Sequence, residues 1–362
     1  MMALAIAEAR KGWGRTSPNP MVGAVVTKDG RIIAKGYHAR LGGDHAEKSA
    51  LDKAGEQARG GTLYVTLEPC NHQGRTPPCT RAVLAAGIKR VVIGQTDPNP
   101  HVKGGGADYL AKQGVEIVSG VLEDQARNLN LFFNKFITTG LPFVLLKSAV
   151  TLDGKLATVT GHSRWVSGEK ARRFVHRIRN GVDAILVGKG TVLADDPTLN
   201  TRLGKRQTGR DPVRVVLDSR LEIPLTARVL DPALGGPTIV ACASKPDPAK
   251  VAELRRRGID VWPQPLKSGR VSLLSLLKRL GKRNVSSLLV EGGAEINASF
   301  LVSEKLVDRV MIIYAPKIVG GAGAPTLVGG SGVSVMDQAI NLDIESIRRL
   351  GDDILVEAVP RY

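Results

Sequence analysis

HAEKSALDKAGEQARGGTLYVTLEPCNHQGRTPPC, residues 45–79, decides how the first half of this 362-residue chain is built. A helical pattern from about His45 to Gln57 runs on to the strand-like stretch TLYVTLE (62–68), and two of the chain's three cysteines follow, Cys70 and Cys79. A disulfide, a metal clamp and two inert buried thiols are the competing readings of that pair. Three cysteines in so long a chain leave at least one unpaired and point to a reducing setting, where a close pair is more often metal-binding or catalytic. His45, Cys70 and Cys79 make three candidate soft ligands, which leaves one tetrahedral position open, as in a catalytic zinc site. A water there has its pKa lowered toward neutrality, and Glu47 is the carboxylate that sequence ties to the cluster. Residues i and i+2 do not share a face in mid-helix. Both therefore serve one metal only if His45 stands at the helix's first turn, where the dipole favours a carboxylate. A closed structural metal site and inert thiols remain the duller alternatives.

Working outward, MVGAVV (21–26) and RIIAKGY (31–37) read as a hairpin around an Asp-Gly turn. The N-terminal MMALAIAEARKGWGR reads as an amphipathic first helix rather than a secretory signal, for no basic residue precedes its short apolar run. Beyond Pro78 a helix to about Ala86, the strand 90–94, a helix near 106–113, the run VEIVSG (115–120) and a single amphipathic run over 121–136 complete the unit. Strands alternating with helices imply a layered α/β sheet. The join falls in TTGLP (138–142), so the expected domains are 1–139 and 140–362. In the second, strands are expected at 184–188, 213–218, 237–243, 286–293 and 308–316, with helices near 168–180, 248–258, 271–281 and 294–304. Residues 225–275 carry no interpretable motif, and Cys242 reads as a buried strand thiol. The glycines of 317–332 read as a mobile loop lining a site, or as a plain surface crossing.

The net charge is +17. It is spread over both halves, and aromatic residues make up only 4%, so a solvated basic surface comes first, anionic small molecules second and nucleic acid third. No stretch approaches the roughly 18 apolar residues that suggest a membrane span.

SSLLVEGGAEINASFL (286–301) is a strand, a double glycine and a helix, an arrangement that lets backbone N–H groups approach a phosphate or forms an ordinary tight turn. TLDGKLA (151–157) and GTVLADDP (190–197) sharpen it, although Asp195-Asp196-Pro197 by itself is a common helix stop. With no G-K-[ST], a P-loop kinase is excluded.

His45-Ala46-Glu47 with Glu68-Pro69-Cys70 and Cys79 resembles the zinc deaminases of cytidine and nucleobase type. Eight residues stand where those proteins have two between the cysteines. That expansion, with TSPNPMVGAVV before it and DPNPHVKGGG after it, resembles the bifunctional riboflavin-biosynthesis family RibD, and the likeness runs through the first half. K-S-A-V-T-L-D-G, S-R-W, G-T-V-L-A-D-D-P and V-E-G-G resemble that family's reductase half over roughly 142–362. The fold so implied is a two-domain α/β chain: an N-terminal cytidine-deaminase-like three-layer α/β/α domain and a C-terminal dihydrofolate-reductase-like α/β domain. The resemblance implies Zn2+, one per chain, on His45, Cys70 and Cys79, with Glu47 as the catalytic proton shuttle and Asn19 against the substrate base or sugar. It implies NADPH on Ala149, Trp165, Thr191, Asp195, Ser219 and the turn Gly293, Ala294, Glu295, Ile296, Asn297, Ala298 and Ser299. Substrate contacts would come from Ser163, Arg179, Leu199, Arg202 and Glu291, with the two arginines suited to a ribose phosphate. Trp165 could pack on the cofactor or be a core tryptophan.

The resulting expectation is a cytoplasmic enzyme, likewise implied to be a homo-oligomer (dimer or tetramer). It would deaminate 2,5-diamino-6-(5-phosphoribosylamino)pyrimidin-4(3H)-one by hydroxide attack at C2. It would then reduce the ribosyl group to ribityl with NADPH. The partner is thus a phosphorylated pyrimidine, with no nucleic acid and no membrane. The rivals are a nucleic-acid base deaminase with a basic binding module, which the scarce aromatics disfavour, and a non-catalytic zinc scaffold, which would have no use for Glu47. Asn71, His72, Gln73, Arg75 and Thr76 suggest a polar loop folded over the substrate.

Overall fold

The chain separates into two compact units, Met1–Gly140 and Leu141–Tyr362. The structure, a computed structural model, describes residues 1–72, 77–100, 105–204 and 209–362. Gln73, Arg75 and Thr76 of the polar loop, and His101 to Gly104 of the DPNPHVKGGG stretch, lie outside the described residues.

The first unit opens with α1 (Met2–Ala9), followed by β1 (Gly23–Lys28), β2 (Arg31–Tyr37), α2 (Ala46–Ala54), β3 (Thr62–Leu67), α3 (Cys79–Ala85) and β4 (Arg90–Gln95). It ends with α4 (Gly106–Lys112), β5 (Glu116–Val118), α5 (Glu123–Leu129) and α6 (Leu131–Thr139). Its sheet has the order β2-β1-β3-β4-β5. β2, β1 and β3 are antiparallel neighbours, and β3, β4 and β5 run parallel. Alternate side chains of a strand point to opposite faces, and here both faces are apolar. Ala24, Val26, Leu63, Val65, Val91 and Ile93 pack toward α2, α3 and α4, while Val25 and Val92 meet Met2, Ala5 and Ile6 of α1. Helices on both faces make three layers. Gly36 places the site-bearing helix: a Cβ there would come within 2.5 Å of the Ala46 carbonyl and the Ala50 nitrogen, so only glycine lets the first turns of α2 sit on β2. The amphipathic run 121–136 is two helices rather than one. Asn130, buried between them, donates from Nδ2 to the Met21 carbonyl (2.9 Å) and accepts the Met21 N–H at Oδ1 (2.8 Å), and this long-range clamp holds the break.

The second unit is larger. It begins with β6 (Phe143–Thr151), α7 (Glu169–Gly181), β7 (Ala184–Gly188), α8 (Lys189–Asp195), β8 (Val213–Leu217) and β9 (Thr238–Ala243). α9 (Pro248–Arg256), β10 (Asp260–Gln264), β11 (Leu266–Lys267), β12 (Arg270–Val271), α10 (Leu273–Gly281) and β13 (Ser287–Val290) follow. It closes with α11 (Ala294–Ala298), β14 (Arg309–Ala315), β15 (Asn341–Leu350) and β16 (Asp353–Arg361). Nine strands form one sheet, β10-β9-β8-β7-β13-β6-β14-β16-β15. All are parallel up to β14, after which β16 and β15 turn antiparallel. The near-continuous apolar strands (AILVG in β7, SLLV in β13) are those of a sheet covered on both faces. The motif-free region 225–275 supplies β9, α9, β10 and a small two-stranded hairpin, and Cys242 is a buried thiol in β9. The helix expected over 294–304 is α-helical only to Ala298 and continues as a π-turn over Ser299–Ser303. Part of 317–332 lies against the rest of the unit: Asp153 Oδ2 accepts the Gly320 N–H at 2.7 Å, and the Ala294 carbonyl accepts that of Gly329 at 3.0 Å.

Candidate functional site

In the first unit, chain direction converges three soft donors. His45 is the residue immediately before α2, extended at φ −69° and ψ 159°, so its imidazole and the Glu47 carboxylate both project from the helix's first turn. Cys70 follows β3 by three residues, and Cys79 is the first residue of α3. His45 Nδ1 lies 3.1 Å from Cys79 Sγ and 3.6 Å from Cys70 Sγ, and all three donor atoms fall within 4.8 Å of one another. Around a tetrahedral zinc, nitrogen and sulfur ligands stand roughly 3.6 Å apart. One imidazole and two thiols at these distances fit such an ion.

Electrostatics separates the two sulfurs. Cys70 accepts from the Cys79 thiol, an arrangement that overcomes burial and pulls Cys70 well below the usual thiol range; His45 and the Cys79 backbone N–H (3.4 Å) add to it. Cys79, hydrogen-bonded to Cys70 and buried, is pushed up. His45 is raised, chiefly by its hydrogen bond to Cys70. Glu47 is 3% exposed, and burial pushes its carboxyl up to about 7 even though His45 draws it down. A buried carboxyl that holds or loses its proton near neutrality is the group a proton shuttle requires.

Asn19 is linked to this cluster through His38, which sequence reasoning overlooked. Asn19 Nδ2 stands 3.3 Å from His38 Nε2, and His38 Nδ1 lies 2.9 Å from the Asp44 carbonyl. A proton on Nδ1 donated to Asp44 leaves Nε2 to accept from Asn19. The His38 ring meets that of His45 edge-on at 5.6 Å. The only sequence signal was its place one residue past β2. Of the polar loop, Asn71 accepts from Thr80 Oγ1 (2.8 Å) and His72 is exposed.

In the second unit a cleft of about 1950 Å³ opens where several parallel strands end, the usual ligand position in such sheets. It is lined by Ala149 of β6, Ser163, Trp165, Thr191 and Asp195 of α8, and Ser219 just after β8. Arg179, Leu199, Arg202, Glu291 and the turn residues Gly293, Ala294, Glu295, Ile296, Ala298 and Ser299 complete the expected wall. Asn297 is the exception. Its side chain is fully buried, donating to Ser148 Oγ (3.0 Å) and the Leu327 carbonyl (2.8 Å). Trp165 is 62% exposed with the Arg172 guanidinium 4.6 Å from its ring centre, so the core reading fails.

The two arginines differ. Arg179 holds Glu291 bidentately, Nε–Oε1 at 2.8 Å and Nη2–Oε2 at 3.1 Å, and Lys147 Nζ meets Oε2 at 3.3 Å. Burial alone would raise the Glu291 carboxyl, but these two cations reverse it and hold the group below the usual range. Arg202 instead has neutral partners, Asn200 Oδ1 (2.7 Å) and Thr198 Oγ1 (3.4 Å), and no carboxylate among the described residues. Its backbone N–H donates to His176 Nδ1 (3.2 Å). His176, three residues before Arg179 on α7, is pushed down to about 4 by burial and then by Arg179 and Arg202. Lys147 and His176 were missed at the sequence level, although Lys147 opens the K-S-A-V-T-L-D-G stretch.

Residues 142–356 match the family model of the RibD C-terminal domain, and residues 1–95 match that of the cytidine and deoxycytidylate deaminase zinc-binding region. The riboflavin biosynthesis protein RibD of Actinobacillus pleuropneumoniae is 46% identical over 358 residues, 99% of this chain and 94% of the relative. The chain belongs to the RibD family. It is therefore a bifunctional deaminase and reductase of riboflavin biosynthesis, a hydrolase and an oxidoreductase in one polypeptide. RibD structures share its fold. That of Acinetobacter baumannii superimposes with a TM-score of 0.88 at 37% identity, covering 100% of this chain and 98% of the other. The Thermotoga maritima structure, described as a diaminohydroxyphosphoribosylaminopyrimidine deaminase/5-amino-6-(5-phosphoribosylamino)uracil reductase, gives 0.85 at 40% identity and covers 99% and 97%. The match of the C-terminal half to a reductase disfavours a nucleic-acid base deaminase carrying a basic binding module. Such a reductase implies a nicotinamide cofactor, and the deaminase region is of a zinc-binding kind. No helix among the described residues is long and apolar enough to cross a membrane.

Proposed function

We propose that residues 1–139 form the zinc deaminase domain, acting on 2,5-diamino-6-(5-phosphoribosylamino)pyrimidin-4(3H)-one, and that residues 140–362 reduce the deaminated product's ribosyl group to ribityl with NADPH. The observation that carries the first half is the His45–Cys70–Cys79 cluster with buried Glu47 beside it. One zinc ion per chain, when bound by these three residues, supplies an activated water. Glu47 would take a proton from the attacking water and deliver it to the amino group leaving C2. His38, held through Asp44, would orient the Asn19 amide toward the base or sugar.

In the second unit NADPH would lie along Ala149, Trp165, Thr191, Asp195, Ser219 and the turn Gly293 to Ser299, where it supplies a hydride. Asn297 would act there by bracing the turn from within. Ser163, Arg179, Leu199, Arg202 and Glu291 would hold the substrate. Of the two arginines, Arg202 is the better phosphate ligand, since Glu291 already engages Arg179. Positioning is the main contribution expected of this site. A cytoplasmic enzyme working as a homo-oligomer, with a phosphorylated pyrimidine as its partner, belongs to the same reading; the three free cysteines support the reducing compartment alone.

Ammonia release and NADPH oxidation, followed on the diaminopyrimidine with and without a chelator, test it. Chelation should stop ammonia release yet spare reduction of the already deaminated compound. Joint loss of both activities would refute two independent sites.

A further inference from the structure

TLDGKLA (151–157) and the glycine-rich run 317–332 lie far apart in sequence, yet the fold fastens them together. Asp153, two residues past β6, is the fastening point. Its carboxylate accepts the Thr151 hydroxyl at 2.6 Å, the Gly320 N–H at 2.7 Å and the Val319 N–H at 3.2 Å. Two successive backbone N–H groups turned toward one carboxylate form a small anion-binding concavity. Gly320 and Gly321 have φ of +67° and +80°, left-handed values that glycine adopts without strain, so the chain can turn back there. The Leu152 N–H donates to the Lys317 carbonyl at 2.8 Å beside them.

Both ends of the fastened run reach the wall of the cleft. At its start, the Lys317 ammonium donates to the Trp165 carbonyl at 2.6 Å, and Trp165 lines the cleft. A residue as exposed as Trp165 owes little of its position to packing and leans on bonds to its backbone such as this one. At the far end, the Leu156 N–H donates to the Pro325 carbonyl (2.8 Å) and the Leu327 N–H to that of Gly154 (3.2 Å). Asn297 holds the Leu327 carbonyl from the other side, and Pro325, Val328 and Gly329 line the cleft next to the turn Gly293 to Ser299. The far end thus has several backbone anchors. The start depends on one carboxylate, so removing that group frees the start alone.

We propose that Asp153 is a positioning residue of the reductase site: by holding Val319 and Gly320 it places Lys317, and through Lys317 it places Trp165 for the nicotinamide cofactor. This rests on the reading of the cleft as the NADPH site.

Equilibrium binding of NADPH to the full chain, followed by the cofactor's own fluorescence without turnover, tests it. Asp153→Ala should raise the NADPH Kd roughly 10-fold, the scale of one hydrogen bond to a charged group. The reductase KM for the pyrimidine, and kcat at saturating NADPH, should stay at wild-type values. In the cofactor-free variant, amide hydrogen exchange at Val319 and Gly320 should speed up. Asp153→Asn keeps one carbonyl acceptor and should recover part of the affinity. Lys317→Met should weaken NADPH to a similar degree, and adding it to Asp153→Ala should cost little more, because both act through one contact. If the wild type binds no NADPH, the reading of the cleft fails. If the wild type binds it and Asp153→Ala keeps the same Kd although Val319 and Gly320 exchange faster, only the role of Asp153 fails. A pyrimidine KM that rises as much as the Kd would make Asp153 a general support of the unit and overturn the proposal. Full additivity of the two substitutions would overturn the route through Lys317. Should Asp153→Ala fail to fold, Asp153→Asn and Lys317→Met carry the same comparison.

Discussion

Glu291→Gln probes the second unit where its charges are most concentrated. Glu291 lies between Arg179, which it binds with both oxygens at 2.8 and 3.1 Å, and Lys147 at 3.3 Å; the three side chains are 11%, 14% and 16% exposed. Glutamine keeps the shape and one acceptor but removes the charge, leaving two nearly buried cations uncompensated. Breaking a buried pair on one side costs about 3–5 kcal/mol. We take ~3 kcal/mol, because one acceptor survives. For a unit the size of Leu141–Tyr362, that lowers its Tm by about 6–12 °C. Calorimetry of the whole chain should show the fall in one transition, while ammonia release, which depends on the other unit, stays at the wild-type rate. The loss should also depend on pH. Arg179 and Lys147 outweigh burial and depress the Glu291 carboxyl, so the unfolded chain takes up its proton first as pH falls. The stabilisation is present above the unfolded pKa of about 4.3 and is lost as pH falls through the folded one. Wild type and variant should therefore converge in acid. A Tm within about 2 °C of wild type at pH 7 would show that Arg179 and Lys147 do not depend on Glu291, and the reasoning would be wrong.

Glu47→Gln should cut ammonia release by about 10²–10⁴-fold while zinc content and reduction of the deaminated pyrimidine are unchanged; loss of zinc would make Glu47 a ligand rather than a shuttle. Arg202→Ala should raise the reductase KM roughly 10- to 100-fold, as expected for losing a charged hydrogen bond, with kcat little altered. An unchanged KM removes Arg202 from the phosphate contact. His176 is pushed down to about 4 by burial and its cationic neighbours, against 6.5 unfolded, so the unfolded state binds more protons between those values and stability rises with pH across that window. His176→Gln should flatten that slope by about 1–2 kcal/mol after solvent screening; an unaltered slope in denaturant titrations would assign it elsewhere.

The convergence of His45, Cys70 and Cys79 was legible because its geometry is local. A histidine at the first turn of one helix, a cysteine three residues past a strand and another at the start of the next helix converge once the strand–helix–strand order is recognised. The cleft-lining turns were legible for a related reason, as the loops that follow parallel strands gather at one end of the sheet. Contacts between residues distant in sequence left no such trace. Asn130 splits the run 121–136 by binding Met21, 109 residues away. Trp165 is exposed although its sequence surroundings left a core position open. The hairpin β15–β16 went unnoticed because its outer strand alternates charge with exposed aliphatics, a pattern that marks neither a core strand nor an ordinary surface one.

Sequence alone supplied the candidate donors His45, Cys70 and Cys79, the carboxylate of Glu47 near them and most of the alternation of α and β segments as far as β14, since these depend on residue type and short spacing. Tertiary structure alone decided that Glu291 and Lys147 meet Arg179, that Arg202 keeps no carboxylate among the described residues, and that His38 stands between Asn19 and the cluster. Which charges neutralise one another, and which remain for a ligand, follows from distance and burial in the folded chain, and neither quantity is written in residue order.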